Sequence, residues 1–99
     1  MIRHTVAFRL IHPAGSAEEA AFLQAAAELA DIPGVQKFEV LREVSPKNDF
    51  AFGLSMEFDD QAAYDAYSFG PKHSAFVAER WQTEVADFLE VDYVPFTAS

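Results

Sequence analysis

The sequence predicts an α+β domain of four strands and three helices in the order β-α-β-β-α-α-β. Three observations carry this. Two segments, one at the start and one in the middle of the chain, alternate apolar and polar residues with period two, as strands covered on one face do. Between them runs an alanine-rich stretch of helical spacing that opens on a serine start signal. The chain has 99 residues, a length suited to one domain. Elements in this order match the split βαβ, or ferredoxin-like, pattern: a four-stranded antiparallel sheet with helices on one face. Right-handed crossovers then put the first and third strands in the middle.

Ile2, His4, Val6, Phe8 and Leu10 share one face of the first segment, and Arg3, Thr5, Ala7 and Arg9 the other. Such strict alternation makes a strand. Pro13 and Gly15 punctuate the loop that follows. Ser16-Ala17-Glu18-Glu19 has the form of a capping box, in which Ser16 accepts from a free backbone N–H and Glu19 reaches back to the N–H of Ser16. Phe22, Ala25, Ala26 and Leu29 trace one helical face. The helix should stop near Asp31, because Pro33 biases Ile32 away from the helical region and Gly34 suits a turn. Val35 to Val44 reads as a strand of mixed facing, with Phe38, Val40, Leu41 and Val44 as its apolar positions. The polar turn from Ser45 to Asp49 joins it as a hairpin to Phe50 to Phe58, which alternates again. Asp59 or Asp60 caps a second helix, Gln61 to Tyr67. Gly70 and Pro71 break it, and a third helical stretch runs from Lys72 to Val85, with Phe76, Val77, Arg80 and Trp81 at helical spacing. Phe88 to Phe96 forms the last strand, and Thr97-Ala98-Ser99 should fray.

Hydrophobic residues make up 51% of the chain, enough for a packed core and too many for a disordered one. The net charge is -9. That balance disfavours nucleic acid, whose phosphates call for clustered Lys and Arg, and anionic membrane surfaces alike. The lack of cysteine removes disulfides, thiolate metal sites and a cysteine nucleophile. Arg3, His4 and Arg9 interrupt any N-terminal signal-like run, and no stretch approaches the roughly 18 apolar residues of a membrane span. A cytoplasmic protein with no nucleic-acid or membrane partner is expected. Helices cover one face of such a sheet, and the other carries Ala7, Ala51, Leu89 and Val91. A homodimer through that helix-free face is the natural consequence.

The chain has no phosphate loop, dinucleotide fingerprint, zinc-protease helix or nucleophile elbow, so neither a cofactor nor a metal is expected. Asp59-Asp60 reads as a helix cap and Glu18-Glu19 as first-turn residues favoured by the helix dipole. The remaining acids read as solvated surface. His12, beside Pro13, reads as an exposed loop residue. His4 shares the face of Val6 and Phe8, so its ring either hydrogen-bonds within the core or lines a cavity. His73 opens a helix and either faces solvent or points back at the sheet. Tyr64 and Tyr67, three apart on one helix, fit core aromatics with hydroxyls reaching polar surroundings, and Trp81 fits the core or an interface.

Taken together, several blocks form a pattern: His4-Thr5-Val6-Ala7-Phe8, Ile32-Pro33-Gly34-Val35, the run Phe58 to Tyr67, the run Gly70 to Val77, and Asp92-Tyr93. In this order the chain resembles the stress-responsive A/B-barrel (Dabb) family from His4 to Tyr93. The resemblance implies a single Dabb domain over residues 1–99 and a ferredoxin-like protomer, two of which pair bare sheet faces into a dimeric α+β barrel. It implies no one activity. In the family's olivetolic acid cyclase branch, a linear polyketide thioester closes by aldol condensation in a pocket between sheet and helices. By that resemblance the catalytic histidine falls on His73, a supporting tyrosine on Tyr67 and a further pocket histidine on His4. Tyr64, Phe8 and Phe76 are expected to complete the ligand-binding walls. The chain departs from that branch in its alanine run around Ala25, where the branch has a tyrosine, and at Gly70, where it has a histidine.

Two functional readings follow, beside a purely structural oligomer. In one, a homodimer binds a small apolar or carbonyl-containing molecule without an assigned reaction. In the other, a cofactor-free enzyme, polyketide-cyclase-like or monooxygenase-like, uses His73 as general base with Tyr67 and His4. A neutral imidazole can take a proton α to a carbonyl, and a phenol can donate to the enolate oxygen that develops.

Overall fold

The computed structural model describes residues 1–97; Ala98 and Ser99, the end of the tail expected to fray, lie outside the described residues. β1 (Ile2–Leu10) buries His4, Val6 and Phe8 and leaves the residues between them partly exposed, as its alternation requires. α1 (Ala17–Ala27) starts on Ser16, whose hydroxyl accepts from the N–H of Glu19 at 3.1 Å. The Glu19 carboxylate does not complete the box on Ser16. It accepts instead from the N–H of Gly15 at 3.1 Å, because the Ser16 N–H already donates to the Pro13 carbonyl. Gly15 permits that turn with φ of 78°. The helix ends in a 3-10 turn, Glu28–Asp31, just before the Pro33 signal.

β2 (Gln36–Arg42) and β3 (Phe52–Phe58) form the hairpin. The mixed facing of β2 has a physical cause: its register shifts between Gln36 and Glu39, and Lys37 sits at φ 50°. A bulge of this kind bends and twists an edge strand. Beyond it Val40 lies opposite Leu54 and Leu41 opposite Gly53, so the two face opposite ways. α2 (Gln61–Ser68) starts on Asp60, which accepts from the N–H of Ala63 at 2.9 Å.

The last helical stretch runs unbroken from Pro71 to Glu84 but is not one regular α-helix. α3 (Pro71–Phe76) widens into a π-turn, Val77–Trp81, followed by the short α4 (Gln82–Glu84). The N–H of Gln82 bonds the carbonyl of Val77 across the wider turn. The wider turn brings Phe76 and Trp81 to one side, with ring centroids 6.4 Å apart. β4 (Val85–Tyr93) begins at Val85 rather than Phe88 and stops before Pro95, which has no N–H for the ladder.

The strand order is β2-β3-β1-β4, antiparallel throughout, so β1 and β3 are central. Phe8, Phe22, Phe52 and Leu54 anchor the core between sheet and helices. The opposite face carries Thr5 beside Val91 and Ala7 beside Leu89; Ala51 precedes β3 and is not part of it. The α+β barrel that the resemblance implies is not formed. The sheet is open, with β2 and β4 as edges laddered on one side only. Closure requires the last strand to bond back to the first at a matching tilt and stagger. Here β2 and β4 sit at opposite edges of a sheet whose one face is filled by helices.

Two acids read as solvated are in fact enclosed. Glu57 is 8% exposed and takes a 2.6 Å hydrogen bond from the Arg3 guanidinium, which holds its carboxyl below the usual range. Glu84 pairs with His12 (Nε2 to Oε1 2.8 Å) and Arg80 (Nε to Oε2 3.1 Å), so His12 is not a free loop residue but ties the loop after β1 to α4. Among the described residues, no helix is long and apolar enough to cross a membrane.

Candidate functional site

A cavity of about 470 Å³ lies between the sheet and the last helical stretch. His4, Tyr67, His73 and Glu90 form a polar group in its wall, while Leu29, Leu54, Met56, Phe76 and Trp81 make it largely apolar.

His73 owes its position to the corner between α2 and α3. Pro71 suits the first helical position, where its missing N–H costs nothing. Gly70 caps it, and a Cβ there would stand 2.7 Å from the Ala66 carbonyl oxygen, so the corner closes this tightly only on glycine. The corner turns His73 against Tyr67, with ring centroids 4.6 Å apart, and sets its Nδ1 3.0 Å from the Ser68 carbonyl oxygen. A carbonyl only accepts, so this bond assigns the proton to Nδ1 and leaves a lone pair on Nε2. Burial holds the imidazole below its usual pKa, and the Ser68 carbonyl only partly offsets this. The ring is therefore neutral near pH 7 and able to accept a proton.

His4 is anchored in a parallel way. Its Nδ1 lies 2.6 Å from Asp92 Oδ1, and the Tyr64 hydroxyl donates to Asp92 Oδ2 at 2.7 Å. The carboxylate assigns a proton to Nδ1, and in the neutral ring Nε2 then carries the lone pair. Burial, the Asp92 bond and the nearby carboxylates push the Tyr64 phenol far above its usual pKa. Burial and the Glu90 charge do the same for Tyr67. Both phenols stay protonated, and Tyr67 lines the cavity, where a protonated hydroxyl can donate to a ligand. The ligand atoms of His4, Glu90 and Asp92 lie within 4.8 Å of one another, a spacing that a divalent cation accepts. In this structure hydrogen bonds from His4 and Tyr64 already join the group.

The model of the stress-responsive A/B barrel domain family matches residues 2–95. The chain belongs to the Dabb family. A Dabb family protein with a ferredoxin-like fold from Mesorhizobium loti is 56% identical over 97% of both chains, with a TM-score of 0.94. A dimeric ferredoxin-like protein from Thermobifida fusca is 22% identical over 95% of this chain and 90% of its own, with a TM-score of 0.73. The hydroxynitrile lyase of Passiflora edulis is 16% identical over 97% of this chain and 94% of its own, with a TM-score of 0.83. These last two share the fold. A search of curated proteins finds no match.

In this Dabb chain His4, Tyr67, His73 and Phe76 come together at one cavity. Phe8 does not reach it: its ring is fully buried among Phe22, Phe52 and Trp81. Tyr64 stands behind His4, ring centroids 5.2 Å apart, and borders a separate outer groove with Phe69 and Tyr93. Sequence reasoning missed Asp92 and Glu90. The signal was strand parity, since the register sets Asp92 opposite His4 and Glu90 opposite Val6. Placing Leu89 and Val91 on the bare face already commits Glu90 and Asp92 to the other.

Proposed function

We propose that this Dabb protein is a cofactor-free enzyme that moves a proton at a carbonyl compound held in the cavity, as a lyase or polyketide cyclase does. The observation that carries this is the matched anchoring of two imidazoles on one cavity. Each holds Nδ1 on a fixed acceptor and keeps Nε2 for a ligand. A core histidine needs only one satisfied partner, whereas two with the same free atom beside a protonated phenol suit proton transfer.

In this reading the His73 Nε2 takes a proton from the carbon α to the carbonyl. The electron pair of the broken C–H bond moves into the enolate, and its oxygen accepts from the Tyr67 hydroxyl. The His4 Nε2 accepts from a substrate hydroxyl or a second donor. Apolar walls keep water from competing for these bonds. Positioned acid–base groups of this kind supply about 10²–10⁴ in rate. The Passiflora edulis enzyme, a hydroxynitrile lyase by name, is an example of an enzyme on this fold.

The protein acts as a cytoplasmic homodimer through its helix-free sheet face. Leu41, Leu89 and Tyr93 are 44%, 54% and 55% exposed there, and the Thermobifida fusca protein of the same fold is dimeric. A stable interface would bury more than about 1,200 Å².

The test is exchange of the methyl protons of 2-acetonaphthone in D₂O, followed by NMR. Wild type should exceed buffer, His73→Ala should fall to the buffer rate, and Tyr67→Phe should lie between. Exchange at the buffer rate with intact binding would instead favour a carrier of small apolar molecules.

A further inference from the structure

We propose that Glu90 selects uncharged ligands at this cavity: neutral ketones, aldehydes and their adducts enter, and their carboxylate counterparts are turned away. The inference rests on the reading of this cavity as the ligand site and adds the charge class of what it takes.

Four observations support it. Among the residues that line the cavity, Glu90 is the one with a full charge, and no Lys or Arg borders it. The side chain of Glu90 is 52% exposed while still lining the cavity, so its carboxylate stands where the cavity meets solvent. Its Oε2 lies 3.4 Å from His4 Nδ1 and 3.4 Å from the Tyr64 hydroxyl, which holds the charge at the polar wall where a ligand's carbonyl would bind. Arg80, on the helical stretch that forms one wall, pairs with Glu84 and is not among the lining residues.

An anionic ligand would meet three costs together. Its carboxylate loses hydration against apolar walls. No guanidinium or ammonium restores that loss. It must also pass Glu90 in a chain of net charge -9. A ketone meets none of these and can accept from the Tyr67 hydroxyl. Tenfold discrimination needs only about 1.4 kcal/mol, which a single like-charge contact at partial exposure can supply.

The experiment is a matched pair of neutral and charged probes, 2-acetonaphthone and 2-naphthoate, titrated at pH 7 by calorimetry. Quenching of Trp81, the one tryptophan of the chain and part of the cavity wall, gives a second readout. Wild type should bind the ketone at least tenfold more tightly than the acid. Glu90→Gln, which keeps the shape and removes the charge, should tighten naphthoate at least threefold relative to acetonaphthone. Raising the salt should narrow the gap in wild type and not in the variant. Equal affinities in wild type, or a ratio that Glu90→Gln leaves unchanged, would overturn the selection while the cavity reading stands. Binding of neither probe would overturn the cavity reading and the selection with it.

Discussion

Replacing Asp92 by Asn tests whether a carboxylate sets the active form of His4. Two hydrogen bonds end on that carboxylate, from His4 at 2.6 Å and from Tyr64 at 2.7 Å. Bonds to a charged group contribute about 1.5–3 kcal/mol each when well buried. The Asp92 side chain is 36% exposed, so solvent screens part of this, and the asparagine oxygen can still accept from Tyr64. The net stability loss should be about 1–2 kcal/mol, read by urea denaturation. The chemical consequence is larger than the energetic one. The asparagine NH₂ can only donate toward Nδ1, which drives the ring proton to Nε2 and turns the cavity-side atom from acceptor into donor. α-Proton exchange should then fall by about 10–100-fold, up to the lower end of the range that positioned acid–base groups supply. Nitrogen-15 NMR of the histidine rings reads the tautomer directly. Finding the wild-type proton on Nε2, or no change of tautomer in Asp92→Asn, would refute the reasoning.

Three further outcomes follow from the fold. Ser16→Ala removes the side chain that caps α1 and should cost about 0.5–2 kcal/mol by denaturation; an unchanged midpoint would mean that this bond does not hold the helix start. Gly70→Ala forces a Cβ toward the Ala66 carbonyl, and overpacking of this kind should cost about 1–3 kcal/mol and displace His73, seen as a loss of both stability and exchange activity. The lowered pKa of His73 also has a definite sign: the unfolded chain takes up that proton first, so its share of stability is complete above the ordinary value of 6.5 and is lost as pH falls from there through the lower folded value. The stability-versus-pH slope in that window should flatten in His73→Asn, and the acid limb of wild-type exchange should lie below 6.5.

The sheet was legible because its central strands bury one face each. The alternation of His4, Val6 and Phe8 and of Phe52, Leu54 and Met56 states both the period and the side that meets the helices. Less legible were features that depend on a distant partner. The bulge at Lys37 confuses the facing of β2, and nothing local marks it. The π-turn at Val77–Trp81 keeps the helical period apart from one extra residue. Phe8 was expected at the cavity because it shares a face with His4, but parity does not say how far along a strand the cavity extends, and Phe22 and Trp81 close over Phe8. Glu57 and Glu84 read as surface acids because their partners, Arg3 and His12, lie 54 and 72 residues away in the chain. The barrel came from resemblance alone, and the strand order of this chain does not support it.

The most direct measurement of the central claim is a crystal structure of the protein with 2-acetonaphthone bound. The ketone oxygen should lie about 2.6–3.2 Å from the Tyr67 hydroxyl, the reach of a working hydrogen bond. Its methyl carbon should face His73 Nε2, with the His73 Nδ1 still on the Ser68 carbonyl and the naphthyl ring against Leu54 and Trp81. A ketone seated in the outer groove beside Tyr64 and Phe69, or a His73 ring turned away from the bound ligand, would contradict the account.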